Sequence, residues 1–258
     1  MHYINMSKIK LSLYNNDMFK AMKKIKSGTI NAVITDFPYG TLNAKRNLWD
    51  RVIDYEKFWQ EVKRIGKDNC VVISTAQQPF TSYLINTNLI DFKYTIVWEK
   101  SKATGYLNAK KQPLRAHEDI VVFYNKQCTY NPQMTIGVPY DKGTAVRDTE
   151  HYGEQKKSTH VKSDGARYPR TVQYFKTAEF EGKLHPTQKP IELYEWLVRT
   201  YTNEGDIVLD PCMGSGTTGL ACINLKRNFV GIEMEEKYFI TAKNRLNSKN
   251  KSDLKNSI

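Results

Sequence analysis

Seven short runs rich in β-branched residues constrain the fold most. They are IKLSLY from Ile9, NAVITD from Asn31, CVVIST from Cys70, YTIVWE from Tyr94, DIVVFY from Asp119, DIVLD from Asp206 and FVGIE from Phe229. Near-continuous apolar runs of this length suit strands buried on both faces, as in a mostly parallel sheet, better than half-exposed hairpins. Between them, YEKFWQEVKRIG and IELYEWLVRTYT carry helical spacing. In the second, Tyr194, Leu197, Val198 and Tyr201 fall on one face and read as core packing, with Pro190 just ahead as a natural first-turn residue. The expected architecture is α/β: a doubly wound, seven-stranded, mostly parallel sheet with helices on both faces.

The pattern fails from about Asn125 to Leu184, where Lys, Arg, Tyr, Gly and acids alternate without a period. A structureless loop of that length would be unusual inside a compact domain, so the segment reads as an insertion with its own function. The expected organisation is therefore one domain made of residues 1–124 and 185–258, with a region inserted at 125–184. A chain of 258 residues is long enough for that arrangement without staples.

The formal net charge is +12, from 39 Lys and Arg against 27 Asp and Glu. Such a surface favours a polyanionic partner, although a basic solvated face has the same composition. The charge concentrates at both ends: the first thirty residues hold six lysines against one acid, and residues 237–258 hold six basic residues against one. The four cysteines, Cys70, Cys128, Cys212 and Cys222, form no CxxC pair and have no His at ligand spacing. Neither a metal site nor a disulfide framework is signalled. MHYINMSKIK has no apolar core of a signal peptide, and nowhere do 18 uncharged apolar residues run together, so the expectation is a cytoplasmic protein with no membrane span.

DIVLDPCMGSGTTGL reads as a strand, a turn with Gly214, Gly216 and Gly219 spaced G-x-G-x-x-G, and a helix through Leu220 to Arg227. Glycines allow a tight turn and close approach of backbone N–H groups to a ligand, and the helix N-terminus favours an anionic group. Glu233, at the end of the next strand, stands where a nucleotide fold places its ribose-binding acid. The spacing fits an NAD-dependent oxidoreductase as well. Against a dinucleotide, Asp210 puts an acid at the strand tip, where a pyrophosphate is repelled and a cation is welcome. S-adenosylmethionine carries such cations, its sulfonium and its ammonium.

ITDFPYG, Ile34 to Gly40, supplies a second strand tip with Asp36 and Tyr39. If both tips face one C-terminal rim of the sheet, cofactor and substrate meet there. With these pieces the chain resembles the DNA amino-methyltransferases of the permuted β class. Their DPPY-type motif matches Asp36, Phe37, Pro38 and Tyr39; their DPFxGSGTT-type motif matches Asp210 to Thr218; and their HPTQKP segment is His185 to Pro190. The catalytic motif precedes the cofactor loop, as in that class.

The resemblance implies a seven-stranded sheet with one antiparallel strand, in which IKLSLY pairs with DIVLD and FVGIE. It implies that Asp17 approaches the cofactor's adenine and that Asp210, Gly214, Ser215, Gly216, Thr217 and Thr218 cradle its methionine part. Glu233 holds the ribose, and the segment with His185 and Lys189 closes the pocket or serves the loop structurally. The substrate is double-stranded DNA, and a homodimer is left open.

The chemistry gives Asp36 a reason of its own. An adenine amine is a poor nucleophile because its lone pair is delocalised into the ring. A carboxylate and a backbone carbonyl accepting its two N–H bonds favour a pyramidal nitrogen, ready for direct in-line displacement at the methyl. Positioning of this kind contributes about 7–11 kcal/mol when the geometry is right. Tyr39 would stack on the flipped base. Phe37 departs from the family's usual proline but keeps the carbonyl; Pro38 confines it to an extended conformation, and its ring could add apolar contact beside the base.

Pro211-Cys212 mimics the nucleophile of cytosine-C5 enzymes but sits inside the cofactor loop, so covalent catalysis is not expected. Cytosine N4 is the nearer alternative; that branch usually has serine at the first motif position, and Asp36 favours adenine N6. A catalytically idle DNA-binding protein would not need Asp36 and Tyr39 beside an intact loop. The insertion, with KKSTHVKSDGARYPR inside it and Arg115, His117 and Glu118 just before it, is the candidate for target recognition. His117 and Glu118 equally suit anchoring the start of a strand. Asn43 to Trp49 reads as a flap over the base.

Overall fold

A computed structural model describes residues 1–6, 9–40, 52–146, 158–180 and 188–255. The chain forms two units: Met1–Asn131 with Thr171–Ile258, and Pro132–Arg170. In chain order the elements begin with β1 (His2–Met6), β2 (Ile9–Asn15), α1 (Met18–Met22) and β3 (Ile30–Thr35). There follow α2 (Tyr55–Ile65), β4 (Gly66–Ala76), α3 (Phe80–Asn86), β5 (Phe92–Thr104) and β6 (Arg115–Tyr124). The second unit holds β7 (Thr135–Ile136), β8 (Tyr140–Val146), β9 (Ser158–Ser163) and β10 (Ala166–Arg167), paired antiparallel as β8 with β9 and β7 with β10. The first unit then resumes with β11 (Val172–Phe175), α4 (Ile191–Tyr201), β12 (Ile207–Asp210), α5 (Thr217–Asn224), β13 (Asn228–Glu233) and α6 (Glu236–Lys255).

The first unit is built on one sheet in the order β1-β2-β13-β12-β3-β4-β6-β5-β11. All seven apolar runs are strands of it. Residues along each central strand alternate between two cores, as a period of two requires. Ala32, Ile34, Val71, Ile73, Ile120 and Val122 pack on one face with Leu193 and Leu197 of α4, Ala221 of α5 and Leu246 of α6. Val33, Val72, Val121 and Phe123 pack on the other with Met18 and Met22 of α1, Phe58 and Val62 of α2 and Leu84 of α3. Helices therefore cover both faces, and Tyr194, Leu197, Val198 and Tyr201 are all buried on α4.

Three features differ from the sequence expectations. The sheet has nine strands rather than seven, because β1 and β11 are added at its two edges. Edge strands bury less and lack the continuous apolar signal: Tyr3 of β1 and Val172 and Tyr174 of β11 are exposed. Two strands run antiparallel rather than one, β6 between β4 and β5, and β1 against β2. Of the two late strands, IKLSLY pairs only with FVGIE; β13 intervenes between β2 and β12, whose other neighbour is β3.

Residues 125–131 pack on the first unit. Cys128 is buried there, and the Asn131 side-chain amide donates to the carbonyls of Arg199 and Thr202. Among the described residues no helix is long and apolar enough to cross a membrane.

Strand direction positions the site. β3, β12, β13 and β4 run parallel and end at one rim, at Thr35, Asp210, Glu233 and Ala76. β6 runs against β4, so its first residues reach that same rim.

Candidate active site

A cavity of about 900 Å³ opens at the rim. Asp36, Phe37, Pro38, Tyr39 and Lys189 line it, and so do Asp17, Asp210, Gly214, Ser215, Thr217, Thr218 and Glu233. The two strand-tip motifs thus share one space. Gly216 stays behind the wall: it caps α5 at φ 80°, and a Cβ there would lie 3.1 Å from Cβ of Ala242. His185 and Asn43–Trp49 lie outside the described residues.

Asp36 follows the last residue of β3 and is held by groups of its own chain. Oδ1 accepts from the Thr75 hydroxyl at 2.5 Å and from the Tyr39 hydroxyl at 2.8 Å, and Oδ2 lies 3.2 Å from Nζ of Lys189. Lys189 also reaches Oε2 of Glu118 at 2.8 Å, while Oε1 of Glu118 faces Nζ of Lys100 at 3.3 Å. The four side chains make a partly buried chain of alternating charge. Burial pushes the Asp36 carboxyl above its ordinary range; Lys189 opposes that shift and Glu118 adds to it. Burial works against the Lys189 ammonium too, but Asp36 and Glu118 hold it firmly protonated. Glu118 is raised by burial and brought below the usual range by Lys189 and Lys100. Burial and the neighbouring Asp36 keep the Tyr39 phenol neutral, which suits it as a donor.

The aromatic residues of ITDFPYG divide their roles. Phe37 is 2% exposed, and its ring packs edge-on to Phe58 at 4.9 Å and to Tyr55 at 5.5 Å. That contact anchors the tip to α2 and fixes where its backbone lies. Tyr39 stacks on Phe80 of α3, with ring centroids 4.8 Å apart.

The other end of the cavity is built from β12, α5 and β13. Asp210 is buried, and its carboxylate accepts from the Thr35 hydroxyl at 2.7 Å, the Thr218 hydroxyl at 2.5 Å and the Cys212 N–H at 3.1 Å. Burial nevertheless raises its carboxyl to about 6. Glu233 accepts from the N–H of Gly214 at 3.0 Å and of Glu235 at 2.8 Å, one on each oxygen, and burial lifts it to about 7. Gly214 has φ 49°, a conformation in which glycine costs least. Gly219 serves packing instead: a Cβ there would meet the Phe229 ring at 2.8 Å. Arg245 of α6 donates to the Thr217 hydroxyl at 3.0 Å, tying the loop to the last helix. Asp17 caps α1 through the Lys20 N–H. The Cys212 thiol is pushed far above its ordinary value by burial and by Asp210, Glu233 and Asp36, so it is not a thiolate nucleophile.

Sequence reasoning did not find Thr75, Lys100 or Thr35, and it left Glu118 between two roles. Tyr194, taken as core alone, is buried but also lines the cavity. Glu118 owes its place to the antiparallel course of β6, which turns a strand's start into a rim position and leaves no signal in the strand itself.

Comparison with known proteins shows the family. The N6/N4 methyltransferase family profile, described as DNA methylase, matches residues 30–244. The chain belongs to this DNA methylase family. Among its relatives, the DNA adenine methyltransferase YhdJ of Escherichia coli K12 is 30% identical over 254 residues, 91% of this chain and 82% of that one. The type II methyltransferase M.HpaI of Haemophilus parainfluenzae is 29% identical over 249 residues, 90% of this chain and 73% of its own. The crystal structure of the M1.HpyAVI–SAM complex superimposes with a TM-score of 0.63 at 27% identity, covering 92% of this DNA methylase and 99% of that chain. The cytosine-N4-specific PvuII DNA methyltransferase, 17% identical, shares the fold with a TM-score of 0.62 over 91% of this chain and 86% of its own.

Proposed function

We propose that this DNA methylase transfers a methyl group from S-adenosylmethionine to the N6 amine of adenine in double-stranded DNA, and that it is of the permuted β class. The observation that carries the reading is the opening of Asp36 and Tyr39 onto the same cavity as Asp210, the glycine loop and Glu233. The order of the two motifs along the chain supports the class.

The residues present fit the cofactor. A cavity of about 900 Å³ lies within the range of small-molecule sites. Asp210 and Glu233 give one end of it a carboxylate-rich wall that suits a cationic cofactor. Each oxygen of Glu233 takes one backbone N–H and keeps a lone pair for a ribose hydroxyl. When bound, S-adenosylmethionine supplies an electrophilic methyl on sulfur.

The protein's part is binding and orientation. Thr75 and Tyr39 fix Oδ1 of Asp36, which leaves Oδ2 as the oxygen to accept an amine N–H. Lys189 faces that oxygen now, and Glu118 offers it a second carboxylate when the amine arrives. Asp36 favours adenine over cytosine, since cytosine-N4 enzymes usually carry serine at this place, and the naming of YhdJ as an adenine methyltransferase points the same way. We assign target recognition to the region of residues 125–184, whose core is the unit Pro132–Arg170.

Incubation of the purified protein with isotope-labelled S-adenosylmethionine and duplex DNA, followed by nucleoside mass spectrometry, tests the reading. Labelled N6-methyldeoxyadenosine is expected. Labelled N4-methyldeoxycytidine would replace the target base, and absence of incorporation would overturn the activity.

A further inference from the structure

β5 and β6 outrun their neighbours at the rim. β4 ends its pairing with β6 at Ala76 and Asp119, whereas Glu118, His117 and Arg115 continue against Trp98, Glu99 and Thr104 of β5. The pair thereby becomes an arm projecting beyond the sheet. Its foot is in the active site, because Lys100, Thr104 and Glu118 line the cavity and Arg115 donates to the cavity residue Gln77 at 2.9 Å. Arg115 stands three residues from Glu118, which strand rise makes roughly 10 Å.

The tip is an ordered turn. Gly105 opens it at φ 92°, and the N–H groups of Asn108, Ala109, Lys111 and Gln112 donate to the carbonyls of Gly105, Tyr106 and Asn108. On this built turn, Tyr106 is 82% exposed and Leu107 92% exposed. Folding gains nothing from displaying an aromatic and an aliphatic side chain side by side in water. Residues 100–115 also carry five basic side chains and no acid. Lys100 and Lys102 are paired with Glu118 and Glu179, while Lys110 and Lys111 follow Leu107 by three and four residues on the same turn.

An apolar pair followed by two cations on one turn fits a partner with an apolar interior behind a wall of anions, which is a duplex opened at one base step. An enzyme that draws a base out of the stack must meet the cost of unstacking, and apolar side chains pushed between base steps are a known way to do so. We propose that Tyr106 and Leu107 enter the base stack at the target pair and fill the space left by the extruded adenine. Lys110 and Lys111 take the flanking phosphates. This inference rests on the methyltransferase reading above.

The test compares the full-length protein with Tyr106→Ala/Leu107→Ala on two duplexes. One carries a methylated site of the wild-type protein with its target adenine normally paired; the other places the same adenine opposite an abasic position. On the paired duplex the double variant should be slower by roughly ten- to a hundredfold, and the fluorescence rise of 2-aminopurine at the target position should shrink in step. On the abasic duplex its rate should return to near wild type, with cofactor affinity unchanged throughout. An equal loss on both duplexes, or no loss on the paired one, overturns the proposal. So does a change in oligomeric state of the variant, which would assign the tip to a contact between copies. If the wild-type protein methylates neither duplex, it is the methyltransferase reading that fails, and the wedge falls with it.

Discussion

Thr35 and Asp210 tie the two halves of the active site together: the Thr35 hydroxyl donates to Oδ1 of Asp210 at 2.7 Å, one residue before Asp36. The acid we assign to the cofactor is thus braced by the strand that leads into the acid we assign to catalysis. Thr35→Val keeps the shape and removes one donor from a buried carboxylate. Loss of that bond should cost about 1–3 kcal/mol, read as a lower urea midpoint at unchanged m-value. Cofactor affinity and methyl transfer should both weaken. A loss of transfer alone would show that the two tips are independent.

Asp36→Ala separates chemistry from binding. The Asp36 carboxylate bonds to Thr75, Tyr39 and Lys189, none of which belongs to the glycine loop. Methyl transfer should fall by at least a thousandfold, in line with loss of an orienting group, while the dissociation constant for S-adenosylmethionine stays within about threefold. Isothermal titration calorimetry beside a single-turnover assay reads both. Parallel loss would make Asp36 structural.

Glu118→Gln removes the carboxylate that Lys189 and Lys100 share. Breaking this partly buried network should lower stability by about 3 kcal/mol. Lys189 would keep Asp36 and Tyr39 but lose its second carboxylate, so the turnover rate should drop more than cofactor affinity does. Because the negative charge of Glu118 raises the Asp36 carboxyl, its removal should move the acid limb of the pH–rate profile to lower pH. A variant that is merely less well packed would keep the limb in place.

The Glu233 carboxyl, raised by burial from 4.5 to about 7, gives opposite pH trends for folding and for binding. Between those values the folded, ligand-free protein holds this proton more tightly than the unfolded chain does. Its contribution to stability therefore declines as pH rises from about 4.5 to 7. Ribose hydroxyls favour the ionised form, so affinity for S-adenosylmethionine should increase with pH and level off above about 7. Well below that point it should weaken by about tenfold per unit. Titrations above about pH 6, where Asp210 is largely ionised, should show this slope for the wild type and a nearly flat line for Glu233→Gln.

The parts of the molecule legible in the sequence are those where a local pattern has one physical cause. Val71 to Ser74 and Ile120 to Phe123 read as strands because both faces are buried, and the run is therefore unbroken. β1 and β11 escaped that test as edges. Gly214 was legible because its positive φ demands glycine, whereas the need at Gly219 comes from the Phe229 ring, which spacing does not reveal. Asp36 and Asp210 announced themselves as acids at strand ends. Glu118 did not, because its place depends on the direction of β6 relative to β4, and strand direction is not written in the residues of the strand. Thr75 is one hydroxyl among many until β4 sets it beside Asp36.

The division of helices between the two faces of the sheet also orders events in time. The helices that cover one face, α1, α2 and α3, all lie in the first third of the chain, and Val121 and Phe123 join that face before its midpoint. Ala32, Ile34, Val71 and Ile73 on the opposite face must wait for Leu193, Leu197, Ala221 and Leu246. Through most of translation the nascent protein therefore carries a bare greasy surface, the kind of exposure that makes a growing chain a client for chaperones.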